Sequence, residues 1–286
     1  MNAGQITLLV IAGIMILIGS MTVVWQIYLL FLVRPRARAP KNSSLLRDYA
    51  HRGLHGGEIP ENSLTAFEKA CEAGCGIELD VQLSRDGTVM VFHDYTLARM
   101  TGREGKLKEL DAAELQSLSL NGTTETIPTF AEVLALVDGR VPLLVELKGE
   151  NLDTSLCEKV ASHLSAYKGT YCLESFNPLL IGKMGKYLPE AYRGLLYTNV
   201  CRDKKKYSAL NLIVTAMLLN GVAKPHFIAC NYKDRNALPV RLTTQLYSAP
   251  RFVWTVRDTE EFARAHELGE YAIFENLTHA NPKENA

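Results

Sequence analysis

The first 33 residues contain no Asp, Glu, Lys, Arg or His, so the chain must hold two parts made for different solvents. From Ile6 to Val33, 22 of 28 residues are aliphatic, aromatic or Met. A helix rising about 1.5 Å per residue over that length crosses a hydrocarbon core of roughly 30 Å with some tilt. A cleaved signal peptide needs a basic n-region, a shorter apolar run and a small-residue cleavage site, whereas Met1–Gln5 carries no charged side chain. Residues 1–33 are therefore expected to be a retained transmembrane anchor, with Trp25 and Tyr28 either in or near an interface belt or facing lipid as plain apolar surface. Arg34, Arg36, Arg38, Lys41 and Arg47 follow, against Asp48 alone. The positive-inside rule then predicts a single-pass protein whose remaining chain is cytoplasmic. Pro35 and Pro40 predict an extended basic linker over 34–45 that holds the next domain close to the bilayer.

All 31 basic and 31 acidic side chains fall after residue 33, and their balance argues against a generic nucleic-acid binder, which would be basic overall. A chain of 286 residues buries a sizeable core without disulfides. Its six cysteines show neither a CxxC pair nor a zinc-like Cys/His spacing, which predicts unpaired buried thiols in a reducing compartment.

Between Tyr49 and Phe274 short apolar runs alternate with helical patterns. Strands are expected at Tyr49–Arg52, Gly76–Leu83, Pro142–Leu147, Thr170–Ser175, Arg193–Tyr197, Phe227–Cys230, Phe252–Thr255 and Tyr271–Phe274, with Val89–Phe92 as an additional piece. Asn62 is a candidate cap for a helix with Leu64, Phe67 and Ala70 or Cys71 on one face, and Asp111 with Glu114 three residues on is a candidate capping box. Eight strands with intervening helices predict a (β/α)8 TIM barrel of the α/β class over residues 46–280, leaving 281–286 as a tail. An open doubly wound sheet is the alternative, and it usually needs fewer strands.

The segment Gly76-Ile-Glu-Leu-Asp-Val-Gln-Leu puts Glu78 and Asp80 on one strand face and Ile77, Leu79 and Val81 on the other. Carboxylates so close raise each other's pKa unless a cation lies between them. A plain amphipathic strand with its polar face in water has the same pattern, but Glu146 and Lys148 repeat the spacing after the apolar run 142–145. If the two strands are neighbours, three carboxylates converge, and such hard oxygen ligands suit Mg²⁺ or Ca²⁺ rather than zinc. His51 and His93 each end an apolar run, where the functional face of a barrel would lie. An imidazole pair divides general acid and base work near neutral pH. Arg52 offers a planar fork for a phosphate and Lys148 a point charge. Together these groups suit attack on a phosphate ester. His55 is read as a loop residue, and His163, His226, His266 and His279 as structural or exposed.

These residues, in this order, resemble the glycerophosphodiester phosphodiesterase family. The matching pieces are His51-Arg-Gly, Pro60-Glu-Asn-Ser, Ile77-Glu-Leu-Asp-Val, Ser84-Arg-Asp-Gly, Val91-Phe-His-Asp, Thr101-Gly, Ile127-Pro-Thr-Phe, Glu146-Leu-Lys and Ser175-Phe-Asn-Pro, dense over residues 49–178 and fainter to Trp254-Thr-Val. The resemblance implies a TIM barrel that uses a divalent cation to cleave glycerophosphodiesters into glycerol 3-phosphate and an alcohol. It assigns Glu78, Asp80 and Glu146 to the metal, His51 and His93 to acid/base catalysis, and Arg52 and Lys148 to the phosphate. Glu61 matches the acidic residue of Pro-Glu-Asn, and Phe176 and Trp254 match apolar residues near the glycerol pocket. Two departures fall near the C-terminus: Arg257 stands where the family often has Asn, and the last strand ends in Glu275-Asn rather than Asp. They bear on the leaving-group pocket more than on the metal centre.

A membrane-tethered phosphodiesterase is the leading expectation. Lysophospholipase D-like cleavage is its nearest competitor, since the anchor brings the barrel to bilayer-resident substrates. A catalytically silent membrane binding module is the alternative from another class, but binding alone does not require His51, His93, Glu78, Asp80 and Glu146 together.

Overall fold

The computed structural model describes residues 2–35, 43–149 and 152–277. Arg36, Arg38, Lys41, His279 and the tail 281–286 lie outside the described residues. Helix α1 runs from Ala3 to Ile27 with no buried residue, and one π-helical turn, Tyr28–Leu32, continues it. This apolar helix of 30 residues is long enough to cross a membrane, a test that a signal sequence also passes. Asn2 accepts from Gln5 N, and the Gln5 side chain answers Asn2 N, which closes its first turn.

Nine strands follow among the described residues: β1 (Tyr49–Ala50), β2 (Gly76–Leu83), β3 (Val89–Val91), β4 (Leu143–Leu147), β5 (Tyr171–Ser175), β6 (Tyr192–Tyr197), β7 (Phe227–Asn231), β8 (Arg251–Val256) and β9 (Tyr271–Phe274). Eight are parallel neighbours, and β1 pairs with both β2 and β9, so the sheet closes into the expected barrel. β3 is the additional piece, antiparallel on β2. β1 is shorter than its apolar run suggests because residues 51 and 52 leave it as a turn, Arg52 taking φ 56°.

The covering helices are α2 (Leu64–Ala73), α3 (Phe130–Val137), α4 (Ser155–Ala166), α5 (Pro178–Tyr187), α6 (Ala209–Thr215), α7 (Asn220–Ala223) and α8 (Thr259–Glu267), with shorter turns between. Ser63, not Asn62, caps α2 by accepting from Ala66 N, because the Asn62 amide is committed to Asp80. Phe67, Ala70 and Cys71 form the buried face as expected, whereas Leu64 is only partly buried. At Asp111, the Glu114 carboxylate accepts from the Asp111 N–H at 3.0 Å, as the capping box requires.

Strand alternation sorts the side chains into two layers. Ile77, Leu79, Val81, Leu143, Val145, Leu147, Leu173, Ile228 and Cys230 pack outward against the helices. Tyr49, Leu144, Cys172, Tyr192, Phe227 and Phe252 fill the interior. Gly194 makes room there: a Cβ on it would lie 2.0 Å from the Phe227 ring. The barrel is thus plugged by apolar and aromatic groups, and its polar interior positions gather above that plug. All six cysteines are buried, and among the described residues none is in a disulfide.

Candidate active site

The register decides which acidic side chains meet. β2 and β4 pair with Asp80 opposite Glu146, and β4 and β5 pair with Glu146 opposite Glu174. Both faces of β2 are covered, so Glu78 and Asp80 are 1% and 0% exposed, which removes the reading of a strand with a wet polar face. One oxygen from each of Glu78, Asp80 and Glu146 lies within 4.8 Å of the others. Lys148 closes on the group at 3.0 Å from Asp80 and 2.9 Å from Glu146. Glu78 accepts the Arg52 N–H at 2.9 Å, and Asn62 donates to Asp80 at 2.9 Å.

The electrostatics are uneven. Burial, with repulsion from Asp80, Glu174 and Glu146, holds the Glu78 carboxyl well above the usual range. Burial also pushes Glu146 up, to about 7, against the pull of Lys148. At Asp80 burial is outweighed by Lys148 and Arg52, which hold it far below an ordinary carboxylate. The Lys148 ammonium is raised because Asp80 and Glu146 overcome its own burial. Three buried, mutually repelling carboxylates form a donor set that fits a hard divalent cation.

Both sequence-predicted histidines reach the same mouth. His51 Nδ1 lies 2.5 Å from Glu275 Oε1, and Arg257 holds the other Glu275 oxygen at 2.7 Å. His93 Nδ1 lies 2.6 Å from Asp94, and Arg99 links Asp94 to Glu61 at 2.5 and 2.6 Å. Each ring is therefore oriented by a carboxylate on one nitrogen, which leaves the other for chemistry. Burial lowers the pKa of both, with Glu275 opposing it at His51 and Asp80 opposing it at His93. His55, His51 and Glu275 also lie within metal-ligand reach of one another, but Glu275 is already engaged by His51 and Arg257. In the His51-Arg-Gly turn, Gly53 has φ 82° and a Cβ there would sit 2.9 Å from Ala66. That close approach to α2 demands glycine.

His51, Arg52, Glu78, His93, Glu146, Lys148, Phe176 and Trp254 line one cavity of about 250 Å³, and Glu174 and Arg257 line it as well. An adjoining hollow of about 440 Å³ opens past His93, Lys148 and Phe176. Phe176 meets Trp254 edge to face at 5.6 Å. Asp80 is fully buried and does not line the first cavity. Glu61 does not line it; instead it clamps Arg52 at 2.7 Å.

Two groups escaped the motif reading. Glu275 appeared only as a departure from the usual Asp, although a carboxylate directly after the last strand matches the placement of the two histidines. Glu174 is an acid inside an apolar strand, which is itself a signal of an interior polar position. It is 1% exposed, its Oε2 has no hydrogen-bond partner among the described residues, and burial together with Glu146 holds its pKa well above the usual range.

A family model described as the glycerophosphoryl diester phosphodiesterase family matches residues 51–278. A glycerophosphodiester phosphodiesterase of Caldanaerobacter subterraneus is 36% identical over 159 residues, 52% of this chain and 65% of its own length. A protein of Rattus norvegicus named lysophospholipase D is 25% identical over 268 residues, 80% of this chain and 82% of its own. Among solved structures, an Oleispira antarctica phosphodiesterase in complex with sn-glycerol-3-phosphate superposes with a TM-score of 0.67 at 24% identity, covering 82% of this chain and 94% of its own. At that identity the match speaks for the fold.

Proposed function

The chain belongs to the glycerophosphoryl diester phosphodiesterase family, and on that footing we propose that it hydrolyses glycerophosphodiesters to sn-glycerol 3-phosphate and an alcohol at a membrane surface. The observation that carries the reading is the meeting of Glu78, Glu146, two carboxylate-oriented histidines and two cations, Arg52 and Lys148, in one cavity, with Asp80 within ligand reach of both carboxylates. Glu78, Asp80 and Glu146 would hold Mg²⁺ or Ca²⁺, which when bound would supply positive charge at the phosphate.

The chain's own residues do the rest. Arg52, fixed by Glu61, presents its guanidinium to the phosphate, and Lys148 adds a second cation from the end of β4, one strand beyond β2. One histidine takes the proton from the attacking oxygen while the other protonates the departing alkoxide, so one P–O bond forms as another breaks. If the attacking oxygen is the substrate's own glycerol hydroxyl, a cyclic phosphate results. Water then opens that ring with the two histidines exchanging roles. Phe176 and Trp254 provide an apolar wall for the glycerol carbons.

The test is release of alcohol and glycerol 3-phosphate from glycerophosphodiesters and from lysophospholipids, with and without chelator. Turnover of glycerophosphodiesters that stops with chelator and returns with Mg²⁺ or Ca²⁺ is expected. Chelator-insensitive turnover would remove the metal role. The second reading, lysophospholipase D-like cleavage, is favoured by the apolar helix and by the rat relative's name, and a preference for lysophospholipids in this assay selects it. A silent binding module predicts no turnover on either substrate.

The anchor reading assigns α1 to the bilayer and the barrel to the cytoplasm. In sealed cells the barrel is then expected to resist an external protease and to be digested after permeabilisation. Digestion in intact cells would reverse the orientation.

A further inference from the structure

We propose that the crevice at the foot of α1 binds the phosphate headgroup of an anionic phospholipid, an inference that rests on α1 being a membrane helix. The end of α1 is fastened to the barrel wall. Tyr28 Oη donates to Ala216 O at 3.0 Å, Tyr247 Oη to Leu29 O at 2.5 Å, and the buried Asn220 amide to Val33 O at 2.6 Å. These bonds tie the helix to the connections on either side of β7.

Between that fastened end and helices α5 and α7 lies a crevice of about 680 Å³. Arg34, Lys186, Arg193 and Lys224 line it, and among the described residues no Asp or Glu does. Arg193 is buried and its guanidinium donates to the Leu188 and Ala191 carbonyls, so it acts as a fixed positive charge in the floor. Arg34, Lys186 and Lys224 are exposed at the rim. Such a concentration of one sign beside a neutral helix attracts anions, and most strongly where the dielectric falls toward a membrane.

The remaining wall separates a lipid from a soluble anion. Leu30, Phe31 and Val222 complete the crevice and are 52%, 67% and 47% exposed. Of the eleven large hydrophobic side chains exposed outside α1 and its π-turn, six lie between Tyr207 and Leu246, the segment to which the helix end is tied. In α6 the pattern is inverted: Asn211 is buried while Leu210 and Leu212 face out. A free phosphate gains nothing from this apolar surface. A phospholipid does, because its chains run along α1 while its phosphate sits among the cations. The 25 residues of α1 rise about 37 Å, against a hydrocarbon core of roughly 30 Å, so the crevice falls at headgroup depth.

The experiment is native mass spectrometry of the full chain in neutral detergent, titrated with phosphatidylserine, phosphatidylcholine or inorganic phosphate. Phosphatidylserine is expected to bind more tightly than phosphatidylcholine. The combined variant Arg34→Ala, Lys186→Ala and Lys224→Ala is expected to weaken it on the order of a hundredfold, three surface cations being removed, with turnover of a soluble glycerophosphodiester unchanged. Lys224→Glu alone, a single exposed change, is expected to weaken it in the same direction, whereas Lys186→Arg with Lys224→Arg retains it. Equal binding of the two lipids, or phosphatidylserine binding that survives both Lys224→Glu and the combined variant, overturns the proposal. So does inorganic phosphate that binds through the same three side chains as tightly as the lipid. Release of the wild-type chain from its membranes by alkaline carbonate instead defeats the membrane-helix reading, whatever the lipid titration gives.

Discussion

Glu78→Gln is expected to lower kcat/KM for a glycerophosphodiester by on the order of a thousandfold or more while leaving the thermal midpoint unchanged or higher. The two halves of that expectation have one cause. Glu78 is buried beside Asp80, Glu146 and Glu174, and their repulsion favours its neutral form. Glutamine has the shape of that neutral carboxyl and removes the repulsion, so folding gains or is indifferent. The anionic oxygen that a divalent ion requires is lost. Asp80→Asn should behave differently: Asp80 carries the charge that Lys148 and Arg52 face, and neutralising it leaves two buried cations poorly paired. That variant is expected to lose both activity and stability. Thermal melts and metal titration by calorimetry, alongside kinetics, separate the two. Wild-type turnover in Glu78→Gln would sink the metal assignment.

His51→Ala and His93→Ala are each expected to cut turnover by roughly a hundredfold to ten-thousandfold, the usual contribution of a positioned acid or base. Their carboxylate partners offer a finer measurement. Burial lowers the His51 pKa, and Glu275 opposes that shift. Glu275→Gln removes the opposing charge, so the limb of the pH–rate profile governed by His51 should move to lower pH. The free imidazole nitrogen stays in place, and kcat should fall less than in His51→Ala. Asp94→Asn should shift the other limb the same way, since the Asp94 hydrogen bond raises His93. Profiles identical to wild type in both partner variants would mean that neither histidine titrates in the reaction.

Much of the site was legible because strand alternation is local. The two-residue spacing of Glu78 and Asp80, and of Glu146 and Lys148, puts each pair on one face whatever the rest of the chain does. Convergence was not legible, since it needs the pairing of Asp80 with Glu146 across 65 intervening residues of strand and connection. Glu61 matched a motif, yet whether it would meet solvent, substrate or Arg52 depended on where the loop before α2 closed. Glu275 was hardest to read: its importance comes from sharing a hydrogen bond with a residue at the far end of the barrel sequence, and no local pattern encodes that.

Composition and periodicity alone determined that this chain has an uncharged apolar helix, a string of barrel-forming strands and acidic and imidazole groups at strand ends. These follow from side-chain chemistry and from the periods of helix and strand, which are properties of short segments. Barrel closure decided the rest. It buried three carboxylates together, turned a departure from the family pattern into the partner of His51, and tied the end of α1 to a cationic crevice. Each depends on distances between residues far apart in the chain, and those distances exist only once the sheet has closed.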